Sequence, residues 1–420
     1  MEAFSARAVA ESQPGAAAAR EIEVAGLAHV ATVSFLASRA IPSIGFWVAL
    51  AGGVALARAG ARRGLRWGYG ASFAAMLQTV AIIGPARLTV PLTQAITAPL
   101  LGVLHARGAP VAWQMLVCGT LRMLQNGLTA AFAIVVLTGV DAYTEFYDRI
   151  ARLVPLLPEG GTAAVIATVA SLLAWAVFAS VVQVLVYRRG LLSWPTGEDP
   201  LHVHPHDDVN DFPERGRYDP RAVVLSAAIA FGLLLASISW PVLAAVAAWL
   251  CIAALTARGD RSVVPAGAGL AAVLTFAVFL ATMVGGLGIE EALARATRAG
   301  LLVLVATWLR AAAGAVGLRE VSRRGLGRLR RVPSAREAAL VMDDLGTGRQ
   351  LWSAARSVLD ALGSVERRPV PILDAVLGWV AAESRRFRPD AAEPPLRLRF
   401  RAVDAALVAL AVAPGAALFA

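Results

Sequence analysis

The chain has no lysine: all 39 of its basic side chains are arginine. A phosphate-binding P-loop needs its Lys, and Schiff-base chemistry needs an amine, so neither nucleotide hydrolysis of that kind nor amine-based covalent catalysis is available. Charge is scarce as well. Only 16% of the 420 residues are charged while 58% are hydrophobic, too little polar surface to coat a soluble protein of this length. Cysteine is nearly absent. Cys118 and Cys251 both lie in apolar runs and read as small buried hydrophobes, because two cysteines make neither a disulfide framework nor a metal site. Residues 1–20 lack the apolar core of a signal peptide and read as a short, poorly ordered cytoplasmic tail. HExxH, GxSxG and paired intramembrane carboxylates are all missing, so no catalytic set is expected and the chain is read as not an enzyme.

What is present is a series of apolar runs of bilayer-crossing length. In the first half they cover 24–40, 42–59, 69–86, 88–105, 111–140 and 161–187. Arg58, Arg62, Arg63 and Arg66 follow the second run, and Arg188 and Arg189 end the sixth, which places those ends in the cytoplasm. Asp141, Glu145, Asp148 and Glu159 make 141–160 the most acidic connection, which fits the outside. Ala51, Ala55 and Ala59, four residues apart, offer a strip along which another helix can approach closely. Residues 190–220 are rich in Pro, His and acids, and form a linker between two halves.

The second half has runs at 222–238, 241–257, 264–284, 296–315 and 402–419. Between the last two, residues 316–401 hold 17 Arg against 10 acids and supply +7 of the net charge of +10. In so apolar a chain this charge is assigned to the cytoplasmic face and not to a nucleic-acid partner. Within it Leu351, Trp352, Ala355, Val358, Leu359 and Leu362 share one helical face, and Ile372, Leu373, Val376, Leu377 and Val380 share another. Gly363, Pro369 and Pro371 break the two. The expected architecture is therefore all-α: a polytopic, multi-pass protein of the cell's inner (plasma) membrane with about eleven transmembrane helices and two cytoplasmic amphipathic helices.

Two constellations are candidates for function. Gln78, Thr79, Arg87, Thr93, Gln94, Trp113, Gln125 and Asn126 are polar positions within apolar runs, suited either to lining a pocket for a small polar solute or to hydrogen bonding between helices. His202, His204 and His206, with Asp207 and Asp208, could ligate Zn, Ni or Co, or be a solvated linker. His29 and His105 stand alone and read as packed or interfacial.

From residue 217 onward the order of features resembles the transmembrane (T) component of energy-coupling factor (ECF) transporters, the cobalt and vitamin uptake family. The resemblance runs through Tyr218-Asp219-Pro220-Arg221 before a helix and Arg298-Ala299-Gly300 leading to Arg310. It continues from Arg319-Glu320 to Arg331-Val332-Pro333, then Glu383-Ser384-Arg385-Arg386-Phe387, and Arg397, Arg399, Arg401 and Asp404 before the last run. It implies a subunit of an ATP-driven importer of a vitamin-like small molecule or transition-metal ion. Such a subunit binds a substrate-capturing S component and a pair of ABC-type ATPase subunits, which alone use ATP, and binds no cofactor itself. Arg385, with Arg386, matches the second coupling motif, and Arg367 or Arg368 the position of the first. Ser384 and Arg386 replace the Ala and Gly of the family's motif. On topology, residues 1–190 resemble an S component fused ahead of the T component. The other readings are a non-transporting membrane scaffold derived from this family, and a metal-handling protein using the His loop.

Overall fold

A computed structural model describes residues 14–39, 44–87, 89–154, 157–196, 201, 217–257, 259–329, 331–366, 368–389, 396 and 398–418. The described residues form helices and no strand. In chain order these are α1 (Pro14–Ala37), α2 (Gly45–Ile83), α3 (Thr89–Ala106), α4 (Val111–Ala131), α5 (Val140–Leu153) and α6 (Gly161–Leu192). After the linker come α7 (Pro220–Ala236), α8 (Trp240–Thr256), α9 (Val264–Val284), α10 (Ile289–Arg328), α11 (Ala335–Asp344), α12 (Gly348–Leu362), α13 (Pro369–Arg386) and α14 (Ala402–Val412). The expected all-α class holds.

The runs 42–59 and 69–86 are one element, α2, which turns sharply at Gly64. Its φ of 81° and ψ of 179° lie where only glycine sits without strain. The turn brings the two halves of α2 together, so that a Cβ on Gly68 would lie 2.8 Å from the Gly60 Cα. Small residues then let three neighbours reach the first half of α2. A Cβ on Gly52 would meet Ser34 of α1, one on Gly53 the Tyr187 hydroxyl of α6, and one on Gly102 of α3 would fall 1.8 Å from the Ala57 carbonyl. Close backbone approach of this kind multiplies the van der Waals contacts between the helices. Ala51, Ala55 and Ala59 are fully buried within this arrangement.

Two main cores organise the chain. The first gathers α1, α2 and α3 around Phe35, Leu50 and Leu56, together with Met342, Leu351, Val358, Val376 and Trp379. The last five belong to α11, α12 and α13. The amphipathic helices thus hand their apolar faces to the N-terminal half, although in sequence they belong to the second. Their faces and the break between them are as the spacing predicts, and α11 adds a third such helix that the periodicity did not reveal. The apolar faces are therefore covered by protein and do not rest on lipid. Ion pairs tie the rims: Arg66 to Glu337 at 2.8 Å, Arg189 to Asp374 at 2.9 Å, and Arg62 to Glu23 at 3.1 Å. Arg319 on α10 donates to the Met342 and Leu345 carbonyls, at 2.6 and 2.7 Å, and so caps the end of α11.

The second core joins α7, α8, α10 and α14 around Leu234, Leu243, Trp249, Val305 and Trp308. Asp404 ties α14 to the start of α7, its Oδ1 accepting the Asp219 N–H at 2.8 Å and its Oδ2 the Arg401 N–H at 2.7 Å. Arg310 locks the two cores together. Its Nε donates to the Ile82 carbonyl, among the last of α2, at 2.7 Å, and its Nη2 lies 3.2 Å from Asp260.

Membrane-crossing character is narrower than the run lengths predict. Among the described residues four helices are long and apolar enough to cross a bilayer, not about eleven: α4 with its continuation to Thr138, α6, α9 and α10. The other runs fall short on composition: α1 carries Arg20, Glu21 and Glu23, α2 carries Arg58, Arg62, Arg63 and Arg66, and the run at 88–105 is diluted by Thr93, Gln94 and Thr97. The apolar helices α7 and α8 are 17 residues each, about 26 Å of rise. Outward-facing Leu116, Leu124 and Leu128 on α4, Ile166 and Phe178 on α6, and Val273 and Phe276 on α9 form an exposed apolar belt. A bilayer covers such a surface and water does not. One end of this belt carries Arg107, Arg188 and α11–α13, and the other carries the acidic helix α5 beside the α9–α10 junction.

Candidate functional site

The most concentrated buried polarity lies where α3, α4 and α6 meet. Cys118 and Arg122 stand one turn apart on α4, Gln183 and Tyr187 one turn apart on α6, and Gln94 and Thr97 on neighbouring turns of α3. All six are buried, and Arg122 is 3% exposed. The Gln183 Oε1 accepts from Arg122 Nε at 3.2 Å, from Arg122 Nη2 at 2.6 Å and from the Cys118 thiol at 3.3 Å. The Gln183 Nε2 donates to Thr97 Oγ1 at 2.7 Å, and Thr97 passes its own hydrogen to the Thr93 carbonyl. Beside this chain the Tyr187 hydroxyl donates to Gln94 Oε1 at 2.6 Å.

The electrostatics are lopsided. The sequences of α2, α3, α4 and α6 contain no Asp or Glu, and among the described residues the hydrogen bonds of the Arg122 guanidinium go to the neutral Gln183 amide. A buried charge without a counter-charge costs several kcal/mol, and a charged side chain inside an apolar helix marks a site before it marks a structural brace. One turn on, along the same stripe, the Gln125 Oε1 and Asn126 Nδ2 are buried without a hydrogen-bond partner. The result is a buried cation with one donor and one acceptor to spare a turn away.

The residues expected from the sequence divide accordingly. Gln94 belongs to the network, Thr93 enters it through its carbonyl, and Gln125 and Asn126 lie one turn from Arg122 along α4 without joining it. Thr79 is satisfied within its own helix by the Ala75 carbonyl at 2.7 Å. Gln78 is buried on α2 with an unpaired Oε1. Trp113 is half exposed on the outward face of α4 and lines no interior site. The backbone of Arg87 forms a short 3-10 turn, and its side chain lies outside the description. Sequence reasoning missed Arg122, Gln183, Tyr187, Thr97 and Cys118. The signal was there in Arg122, a single charge in the run 111–140, and in Gln183, a polar break in 161–187.

A groove of about 940 Å³ runs between α4 and α6 on the neighbouring face. Leu116, Leu124, Leu128, Leu173 and Val177, all exposed, line it, so it is a furrow in the lipid-facing surface. His202, His204, His206, Asp207 and Asp208 lie outside the described residues. Among the described residues no three His, Cys, Asp or Glu side chains are grouped to hold a metal. Of the coupling arginines, Arg385 and Arg386 are exposed at the end of α13, with Arg385 donating to the Pro195 carbonyl at 2.5 Å. Arg368 precedes α13 and pairs with Glu366 at 2.8 Å, and Arg367 lies outside the described residues. No family model, curated protein or solved structure matches the chain.

Proposed function

We propose that this chain is the transmembrane subunit of an ECF-type, ATP-driven importer of a vitamin-like small molecule or transition-metal ion. In this reading residues 1–190 capture the substrate and α11–α13 pass on the motion of separate ATPase subunits. One observation carries it: the amphipathic helices bury their apolar faces on α1 and α2, while Arg336, Arg349, Arg356, Arg385 and Arg386 stay exposed on their outer surface. A push on that basic surface is delivered to the first core, and through α2 and α3 to the polar network. The basic end faces the cytoplasm, where ATPase subunits are found. The reading is tested by purifying the tagged chain from its own cells in mild detergent and identifying what comes with it. A pair of ABC-type ATPases is expected, and Arg385→Glu is expected to release them. A parent chain that brings no ATPase would remove the importer reading. An Arg385→Glu chain that keeps them would remove Arg385 as the contact.

A further inference from the structure

We propose that Arg122 is the counter-charge for the oxyanion of a small soluble molecule, a carboxylate above all, bound between α3, α4 and α6. The ligand's role as cargo rests on the importer reading, and its binding does not. The geometry of the guanidinium makes the argument. Its Nε–H and one Nη2–H are directed at the Gln183 Oε1, which also accepts from Cys118 and is thereby filled. The remaining edge, Nη1 with the second Nη2–H, has no hydrogen bond among the described residues, and this is the edge that grips a carboxylate in a fork. Among the described residues no acid pairs with Arg122, and α2, α3, α4 and α6 carry none that could. The amide of Asn126, one turn along, adds a neutral donor, and the Gln125 Oε1 accepts from an N–H or O–H on the ligand.

Position separates a soluble ligand from a lipid. Arg122 lies about 16 Å along α4 from Val111, roughly midway through a hydrocarbon layer of ~30 Å. A phospholipid phosphate sits at the edge of that layer. Between the two cargoes of the importer reading, a carboxylated small molecule therefore fits this site and a bare metal cation does not, since a buried guanidinium repels it.

The experiment uses the full-length chain in detergent, free of ATPases, so its outcome does not depend on the coupling reading. Thermal unfolding is followed while sodium acetate, sodium benzoate or inorganic phosphate replaces chloride at constant ionic strength. The parent is expected to gain about 2 °C at tenfold saturation with a carboxylate, and Arg122→Gln to gain nothing. Gln183→Glu places a carboxylate on the guanidinium from within. It is expected to raise the midpoint without added anion and to abolish the response, which decides the matter if Arg122→Gln does not fold. A parent no more responsive to carboxylates than to chloride overturns the proposal, and so does an undiminished response in Gln183→Glu. Native mass spectrometry of the same samples decides the source. A phospholipid held by the parent and lost in Arg122→Gln would assign the site to lipid and overturn it.

Discussion

Asp260→Ala is the sharpest test of the buried ion pair that holds Arg310, the residue bridging the two cores, in place. The side chains of Arg310 and Asp260 are 1% and 3% exposed, so neither charge finds water when the other is removed. Breaking such a pair from one side costs about 3–5 kcal/mol. Arg310 keeps its bond to the Ile82 carbonyl, which places the expected loss near the lower end, ~3 kcal/mol. Asp260 also accepts from the Ser262 N–H at 3.0 Å and from its hydroxyl at 2.5 Å, and losing these adds about 1 kcal/mol. For a chain of this size the sum is a fall of roughly 5 °C in the midpoint. Trp308 stacks edge-on against Trp249 at 5.0 Å, two residues from Arg310, so tryptophan fluorescence reads the relevant core. Replacing both partners, as Asp260→Ala with Arg310→Met, is expected to recover most of the loss, because the buried charge is gone as well. An Asp260→Ala chain that unfolds within about 1 °C of the parent would refute the claim that this buried pair stabilises the fold.

Other expectations follow from the same reasoning. Gly102→Ala puts a methyl 1.8 Å from the Ala57 carbonyl and should cost ~1–3 kcal/mol, whereas Gly127→Ala meets nothing within 4 Å and should gain up to about 1 kcal/mol from helix propensity; thermal unfolding of the pair checks both. Asp219 is pushed up by burial but pulled further down by the Arg221 guanidinium and N–H, so its carboxyl titrates below the usual range. A carboxyl lowered in the folded state contributes stability above its unfolded value and loses it as pH falls through the folded one, so Asp219→Asn should flatten the acid limb of a stability–pH curve. Asp344 is raised, first by burial and then by Glu21 and Asp343. Its charge therefore burdens the folded state at neutral pH, and Asp344→Asn should stabilise the chain there, with the advantage fading as pH falls through the carboxylate range.

Helical class, membrane character and the two amphipathic faces at 348–386 were legible in the sequence, because periodicity and composition are local quantities. Leu351, Ala355, Val358 and Leu362 recur at helical spacing whatever lies against them, and they are buried together. Which apolar runs face outward was not legible. Val30 and Leu50 are as apolar as Leu124 and Leu128, yet the first two are buried in protein and the last two face outward. Run length records that a residue avoids water and says nothing of what replaces the water.

The candidate site shows the same division. The sequence itself holds two parts of the site that its reading passed over: the segments of α2, α3, α4 and α6 carry no carboxylate, and Arg122 interrupts an apolar run. Only the tertiary structure decided that Gln183, 61 positions away, would take one edge of that guanidinium and leave the other unbonded. It also decided that α11–α13 would bury their apolar faces on the N-terminal half. The physical reason is that the charge a helix carries is written along its own length, whereas the partner that neutralises a charge or covers a face is chosen by packing between segments far apart in the chain.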